Sequence, residues 1–444
     1  MEQKTCLHEF IQYTVLNVLG MLGLSCYILA DTFFVSKGLG ADGLTALNLA
    51  IPIYSFVHGS GLMLGVGGAA KYAVLQGQRA RDEANKTFTN TLCLTMILAL
   101  LFMGIGACCS EKVTGFLGAD AQVFDMTNIY LKVILLFAPA FMLNDVFICF
   151  VRNDGNPRLA MLAMLAGSFS NIIFDYIFIF PCRLGIFGAV LATGFAPVIS
   201  MAVLSVHRKK KNHFLFLRCG MQWDLTGKIV ALGVSSLITE VSSGIVMIVL
   251  NFIILGIQGN LGVAAYGVVA NLALVVGAIH TGVAQGMQPL VSRASGLRDG
   301  KTMKLLLKYA MCAMTVIAAL IYAGLFVWAE PIAMVFNSEG NALLQSIAVT
   351  GLKLYFTAVW FIGFNVVLSM YFTATENPVP AQVISILRGI VLVIPIAFVM
   401  AYLWELNGVW LTMVVTEGVV CGLGLIYLKR MRKREMIDEN ILMD

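Results

Sequence analysis

Apolar residues run along this chain in long blocks separated by short polar stretches. Twelve blocks reach the roughly 18 residues a membrane-spanning helix needs. They fall at 11–35, 46–75, 87–109, 126–151, 158–181, 184–206, 226–256, 263–292, 305–328, 346–372, 380–403 and 405–428. A spanning β-barrel would instead show ten-residue segments of alternating polarity, and that pattern is absent. The expected fold is an all-α membrane protein of twelve transmembrane helices.

The pattern repeats once. "AAKYAVLQGQR" (69–79) and "QPLVSRASGLR" (288–298) follow the second and eighth blocks, and each ends in Gly-x-Arg. "DGNPR" (154–158) before block five is echoed by "TENPV" (375–379) before block eleven. "GIFGAVLAT" (185–193) is echoed by "GVWLTMVVT" (408–416). The echoes keep their direction along the chain, and six is an even number. Two parallel six-helix lobes related by a pseudo-twofold axis along the membrane normal are therefore expected. The boundaries are 1–206 for the N-terminal lobe, 207–225 for a basic linker, 226–428 for the C-terminal lobe and 429–444 for a tail. By the same count, the second-half counterpart of Asp31 falls near Asn251 and that of Asp175 near Pro395.

Composition excludes a soluble domain: 59% of the 444 residues are hydrophobic, 12% are charged, and the mean hydropathy is +0.88. A soluble protein carries about 25% charged residues. Met1 to Phe10 is polar, and the first apolar block is long enough to remain as a start-transfer helix rather than a cleaved signal. The ten cysteines lie mostly inside apolar blocks without a C-x-x-C pair, so they read as small packing residues.

The net charge of +5 could suggest nucleic acid, but its placement points to topology instead. With the N-terminus inside, the inner segments hold Lys4, Arg79, Arg81, Lys86, Arg152, Arg158, Arg208 to Lys211, Arg218, Arg293, Arg298, Lys301, Lys304 and the tail "KRMRKRE". That is twenty basic residues, against Lys37, Lys112 and Arg183 outside. The positive-inside rule puts both termini in the cytoplasm. The linker "HRKKKNHFLFLRCGMQWD" (207–224) joins the halves on that face, where anionic lipid is a second partner for its charge.

Few ionisable residues interrupt the blocks. In the first half they are Asp31, Lys132, Asp145 and Asp175; in the second, Glu240, Lys353, Arg388 and Glu417. A carboxylate near a bilayer centre costs ~2.5–3.5 kcal/mol on insertion scales, so each needs a compensating partner or a use. Asn171 and Asp175 are four apart and share one helix face. A carboxamide beside a carboxylate can hold a proton or offer hard oxygens to a small cation. Asp31 and Asp175 both fall in the outer halves of their helices, so two carboxylates at one depth could share a proton. The plainer alternatives are a packing pair between Asp175 and Lys132 and an Asp31 facing interfacial water. Asp145 reads as a local cap near the cytoplasmic end, and His58 and His280 read as packing residues.

The stretches "ADTFFVSKGLG" (30–40), "GLMLGVGGAAKY" (61–72), "RNDGNPRLAM" (152–161), "NIIFDYIFIF" (171–180), "LGIFGAVLATG" (184–194), "AAYGVVANLA" (264–273) and "GVAQGMQPLVS" (282–292) resemble the multidrug and toxic compound extrusion (MATE) transporters, in particular their bacterial DinF-like branch. The resemblance covers nearly the whole chain. It implies a monomeric exporter of drug-like compounds in the cell inner membrane, with no cofactor, driven by inward H⁺ or Na⁺. It further implies a coupling site of Asp31, Asn171, Asp175, Thr193 and Tyr130. The first four would be oxygen ligands if the ion is Na⁺. The substrate cavity would take Asp31, Asp175, Glu240 and Asn251. Glu240 is a departure, since it resembles the C-lobe acid of other branches that purely N-lobe members often lack.

Two rivals are weaker on the residues. A lipid-linked sugar flippase needs several basic residues converging on a pyrophosphate, and only the scattered Lys132, Lys353 and Arg388 are available. An intramembrane aspartyl protease resembles Tyr-Asp plus Gly-x-Gly-Asp, and "GLGAD" (38–42) misses that pattern by one residue.

Overall fold

The computed structural model describes residues 3–210, 213–337 and 340–441, with side chains as far as 433. Lys211 and the side chain of Arg434, counted above for topology, lie outside the described residues.

The described chain is helical throughout, without strands. Nine stretches are long and apolar enough to span, counting Phe124–Leu136 and Ala138–Asn153, which meet at 48°, as one. Three of the nine contain a non-helical break. Gln3–Gly77 breaks at Gly40, Trp223–Gly296 at Gly259, and Val393–Ile441 at Trp404 and Glu405. Twelve spans result among the described residues. We label them α1 (3–39), α2 (41–77), α3 (Arg81–Phe116), α4 (Phe124–Leu136 with Ala138–Asn153), α5 (Pro157–Ile179), α6 (Gly185–Leu204), α7 (223–258), α8 (260–296), α9 (Gly300–Val327), α10 (Ala342–Ala374), α11 (378–403) and α12 (406–441). Residues 3 and 441 lie on one side, the terminal face; the opposite side is the distal face. Block four, expected as one straight helix, bends at Phe137, where Pro139 at the start of the second segment cannot continue the hydrogen-bond ladder.

The internal repeat is written into the backbone. Eleven described residues have positive φ, and ten of them pair across the halves: Gly40 with Gly259, Arg79 with Arg298, Gly118 with Gly340, Gly155 with Glu376, and Arg183 with Glu405. The spacing is 219 residues at the first two pairs and 222 at the last. The step between Glu376 and Glu405 coincides with the π-helical turn Leu387–Val391 in α11, which accommodates one extra residue. This register refines the expected counterparts. Asp31 corresponds to Leu250 rather than Asn251, and Asp175 to Ala397 rather than Pro395.

The apolar core divides with the repeat. One buried cluster runs from Val35 to Val190 and takes in Ile229; a second runs from Leu250 to Met413. A third, on the terminal side, mixes α1 (Cys6, Phe10) with α8 to α12.

The two lobes meet in the terminal half, through glycine. A Cβ on Gly67 would strike the Ile229 carbonyl, and one on Gly233 the Met63 carbonyl, so α2 and α7 touch backbone to backbone. Gly77 and Gly296 do the same for α2 and α8, and Gly282 and Gly286 seat α8 against Val18 and Thr14 of α1. Small residues let membrane helices approach this closely where no hydrophobic effect drives association. Polar side chains complete the seal. Asn153 and Gln288 exchange reciprocal amide bonds (2.9 and 3.0 Å), Arg152 donates to Asn17 and Gln285 (2.8 and 2.6 Å), and Lys71 pairs with Glu376 at 2.7 Å.

The linker is docked rather than slack. Its extended backbone donates from Leu215, Leu217 and Gln222 to Asn85, Thr89 and Asn90 of α3 (3.0, 2.9 and 2.8 Å). His207 closes on Asp154 at 2.8 Å, and Lys210 donates to the Asp154 carbonyl. Burial pushes the Asp154 carboxyl up. The bonds from His207 and Tyr72, the charge of Lys210 and the bond from Gln76 outweigh burial and hold it below its ordinary value.

Candidate functional site

Asp31, Asn171, Asp175, Thr193 and Tyr130 come from α1, α5, α6 and α4, and the fold gathers all five inside the N-terminal lobe. Asp175 and Asn171 are fully buried and Asp31 is 7% exposed. The i, i+4 spacing on α5 stacks the amide on the carboxyl: with the Asn171 amide oriented as its neighbours require, Nδ2 donates to Asp175 Oδ2 at 3.0 Å and the carbonyl oxygen accepts from the Thr193 backbone N–H at 3.2 Å. The Thr193 hydroxyl turns back to the Ala189 carbonyl (3.2 Å) and is approached by the Tyr130 hydroxyl. Asp31 and Asp175 face each other at hydrogen-bonding range. Two bare carboxylates do not sit this close in a low-dielectric interior; a shared proton or a bound cation between them is the arrangement that does.

No lysine or arginine neutralises this pair among the described residues. Lys132 is exposed, so the packing pair with Asp175 does not form, and Asp31 is buried rather than at an interface. What the site offers is oxygen: two carboxyls, an amide, two hydroxyls and a carbonyl. That set suits a proton or a small hard cation. No cluster of three or more His, Cys, Asp or Glu side chains poised for a metal occurs among the described residues.

The corresponding place in the second lobe is dry. Leu250 replaces Asp31, Val393 replaces Asn171 and Ala397 replaces Asp175, and the three line one apolar spot with Val246, Val249 and Ile394. Asn251, one residue on, is half-buried beside it. The second lobe keeps its charge elsewhere. Arg388 in the π turn grips Glu417 (3.0 and 2.7 Å), which also accepts from Asn365 at 2.6 Å. Lys353 lies over the Phe326 ring at 5.0 Å. The three basic residues that a pyrophosphate would need are therefore spent or dispersed.

Sequence reasoning misplaced one acid. Asp145 is not a local cap; it is buried and pairs with His58 Nδ1 at 2.9 Å, an α4–α2 contact across the lobe interior. Sequence separation hides that pairing. Below Asp31, one turn back on α1, the Tyr27 hydroxyl meets the Tyr54 hydroxyl of α2 at 3.1 Å. Tyr54 stacks on His58 one turn on (5.8 Å between ring centres, 4° between planes). Spacings of four at 27/31 and 54/58 were the available signal. Glu240, on α7 of the other lobe, faces this group half-buried, its Cβ against Gly59 of α2.

Comparison with known proteins agrees with this architecture. The MatE family model matches residues 18–177 and 235–430. The multidrug export protein MepA of Staphylococcus saprophyticus is 25% identical over 448 aligned positions, covering all of this chain and 98% of the relative, and MepA of Staphylococcus aureus is 24% identical with the same coverage. Among solved structures, a multidrug resistance MATE family transporter of the MOP superfamily in an outward-facing conformation superposes with a TM-score of 0.91 at 23% identity, covering 97% of this chain and 96% of that one. A MOP superfamily transporter from Pyrococcus furiosus, described as having a binding pocket of reversed polarity, gives 0.88 at 23% identity over 96% and 95%. A twelve-span bundle built as two repeats, matched by the family model across both halves, identifies the chain as a membrane transporter belonging to the MATE family, not an enzyme.

Proposed function

We propose that this chain exports drug-like, mostly cationic amphiphilic compounds in exchange for inward H⁺ or Na⁺, by alternating access between its two lobes. The observation that carries the reading is the buried Asp31–Asp175 pair, beside which no lysine or arginine lies among the described residues. Deprotonated, the pair attracts a cation; with H⁺ or Na⁺ bound, it loses that attraction. Asn171, Thr193 and Tyr130 supply the remaining coordination or hold the proton. Glu240 and Asn251 extend the polar surface toward the second lobe.

The lobes supply the motion. Their glycine contacts and amide pairs close the terminal half, so cargo leaves toward the distal face in this conformation. Rocking about α1, α2, α7 and α8 opens the terminal half to load it again. Basic-residue placement sets the terminal face in the cytoplasm of a plasma membrane, with the chain acting as a monomer in the bilayer. The multidrug export names of the relatives support drug-like cargo. The unconverged Lys132, Lys353 and Arg388 count against a flippase for pyrophosphate-linked lipids.

Efflux of a fluorescent cationic dye from proteoliposomes, under separately imposed proton and sodium gradients, tests the reading. One of the two gradients is expected to accelerate efflux severalfold over no gradient. Equal efflux under all three conditions contradicts coupling.

A further inference from the structure

We propose that His58, oriented by Asp145 and facing Glu240, is a second proton-exchanging group, separate from the Asp31–Asp175 pair and placed at the seam between the lobes. The inference rests on the antiport reading above and adds to it a residue that the family motifs do not contain.

The geometry assigns each atom a part. His58 lies at the midpoint of α2, and its Nδ1 is 2.9 Å from Asp145 Oδ2 on α4. With Nδ1 in ion-pair contact with a carboxylate, Nε2 is the nitrogen left to gain and lose a proton. Asp145 is nearly closed off, while the imidazole keeps 17% of its surface open. Among the described residues no group bonds Nε2, and it is not sealed among the buried polar atoms without a partner. By contrast, both ring nitrogens of His280, on α8, are buried without a partner. Of the two, His58 keeps its ring partly open and His280 does not.

The groups facing His58 are Asp145 from α4, Glu240 from α7, Tyr54 from its own helix and, behind Tyr54, Tyr27 from α1. Two carboxylates, and among the described residues no lysine or arginine, face the ring. A packing histidine needs only Asp145; the acid from the opposite lobe is superfluous to packing. Glu240 reaches this position because Gly59 has no side chain, and its place depends on how the lobes are set. Separating or rotating the lobes changes the field at His58.

The proton balance is simple. A proton from cleft water adds to His58 Nε2, and the ring becomes an imidazolium held against the Asp145 carboxylate. Loss of the Nε2 proton back to cleft water, with the Glu240 carboxylate facing the ring, restores the neutral form. Only N–H and O–H bonds form or break. Tyr27 and Tyr54 lie between this group and Asp31, two helical turns away.

The test uses the full chain in proteoliposomes, reading dye-driven proton movement against pH. Histidine titrates near pH 6.5 unperturbed, so the profile is read from about pH 5 to 10, and the wild-type curve is expected to contain a step that His58→Gln removes. Asp145→Asn keeps the ring but loses its anchor, and is expected to shift the step rather than erase it. A second measurement covers misfolding of the variants. In wild-type protein labelled with ¹⁵N-histidine, the His58 resonances are expected to change protonation over that range and to respond to added dye. A wild-type pH profile in both variants, or a His58 signal insensitive to pH and dye, overturns the proposal. Full activity in Asp175→Asn would overturn the antiport reading instead, so the two failures are distinguishable.

Discussion

Asp175→Asn is expected to bring drug-driven H⁺ or Na⁺ exchange in proteoliposomes to background, while the protein remains folded and inserted. Asparagine nearly matches aspartate in shape, so the packing of a fully buried position changes little. What vanishes is the negative charge and the ability to take up a cation. Coupling between two ligands on one transporter is worth about 1–3 kcal/mol, or roughly 5–150-fold in affinity. The variant should therefore bind a cationic dye with an affinity that no longer depends on pH or sodium. Lys132→Gln is the matched control. Lys132 is exposed and touches neither carboxyl, so its loss should leave exchange near the wild-type rate. Exchange retained in Asp175→Asn, or lost in Lys132→Gln, would reverse the assignment.

Gly233→Leu is the second change with a large expected effect. The Gly233 Cα lies against the Met63 carbonyl, and the reciprocal contact joins Gly67 to the Ile229 carbonyl. Overpacking a core usually costs about 1–3 kcal/mol because side chains shift to make room. Here the obstacle is backbone on both sides, so the strain falls on the α2–α7 contact itself. The terminal face should stay open, and export should fall to near background. Labels introduced as unnatural amino acids at Lys86 and Lys301, at the terminal ends of α3 and α9, would report a longer inter-lobe distance by pulsed electron resonance. Gly244→Leu, on the same helix where a Cβ meets nothing, should show neither effect. An unchanged distance with export intact would mean that the lobes do not hinge at this contact.

Much of this was legible in the order of residues, and what was not had identifiable causes. Span positions follow from hydropathy because the bilayer leaves a helix few alternatives. The Asn171–Asp175 stack follows from helical spacing. That Asp31 joins them rests on matched depth, an argument that gives height in the membrane but not azimuth around the bundle. Azimuth is where sequence reasoning stopped. Nothing local in "FMLNDVF" shows that Asp145 turns toward His58, because the partner is 87 residues earlier and on another helix. The repeat register slipped by one or two residues because its spacing changes along the chain, from 219 at Gly40 and Gly259 to 222 at Arg183 and Glu405; the π turn at Leu387–Val391 adds one of those residues without altering the apolar pattern. The dryness of the second lobe was half-visible, since Leu250, Val393 and Ala397 carry no polar atoms on their side chains. Only their convergence shows that they occupy the place of Asp31, Asn171 and Asp175.

The central claim is that cargo and coupling ion compete for the carboxyls of Asp31 and Asp175. Calorimetry of a cationic dye binding to the purified protein, repeated in buffers of different ionisation enthalpy and at several sodium concentrations, measures that competition directly. The account predicts release of about one proton or one sodium ion per dye bound to the wild type, and none in Asp175→Asn. Dye binding to the wild type that releases neither ion would contradict it.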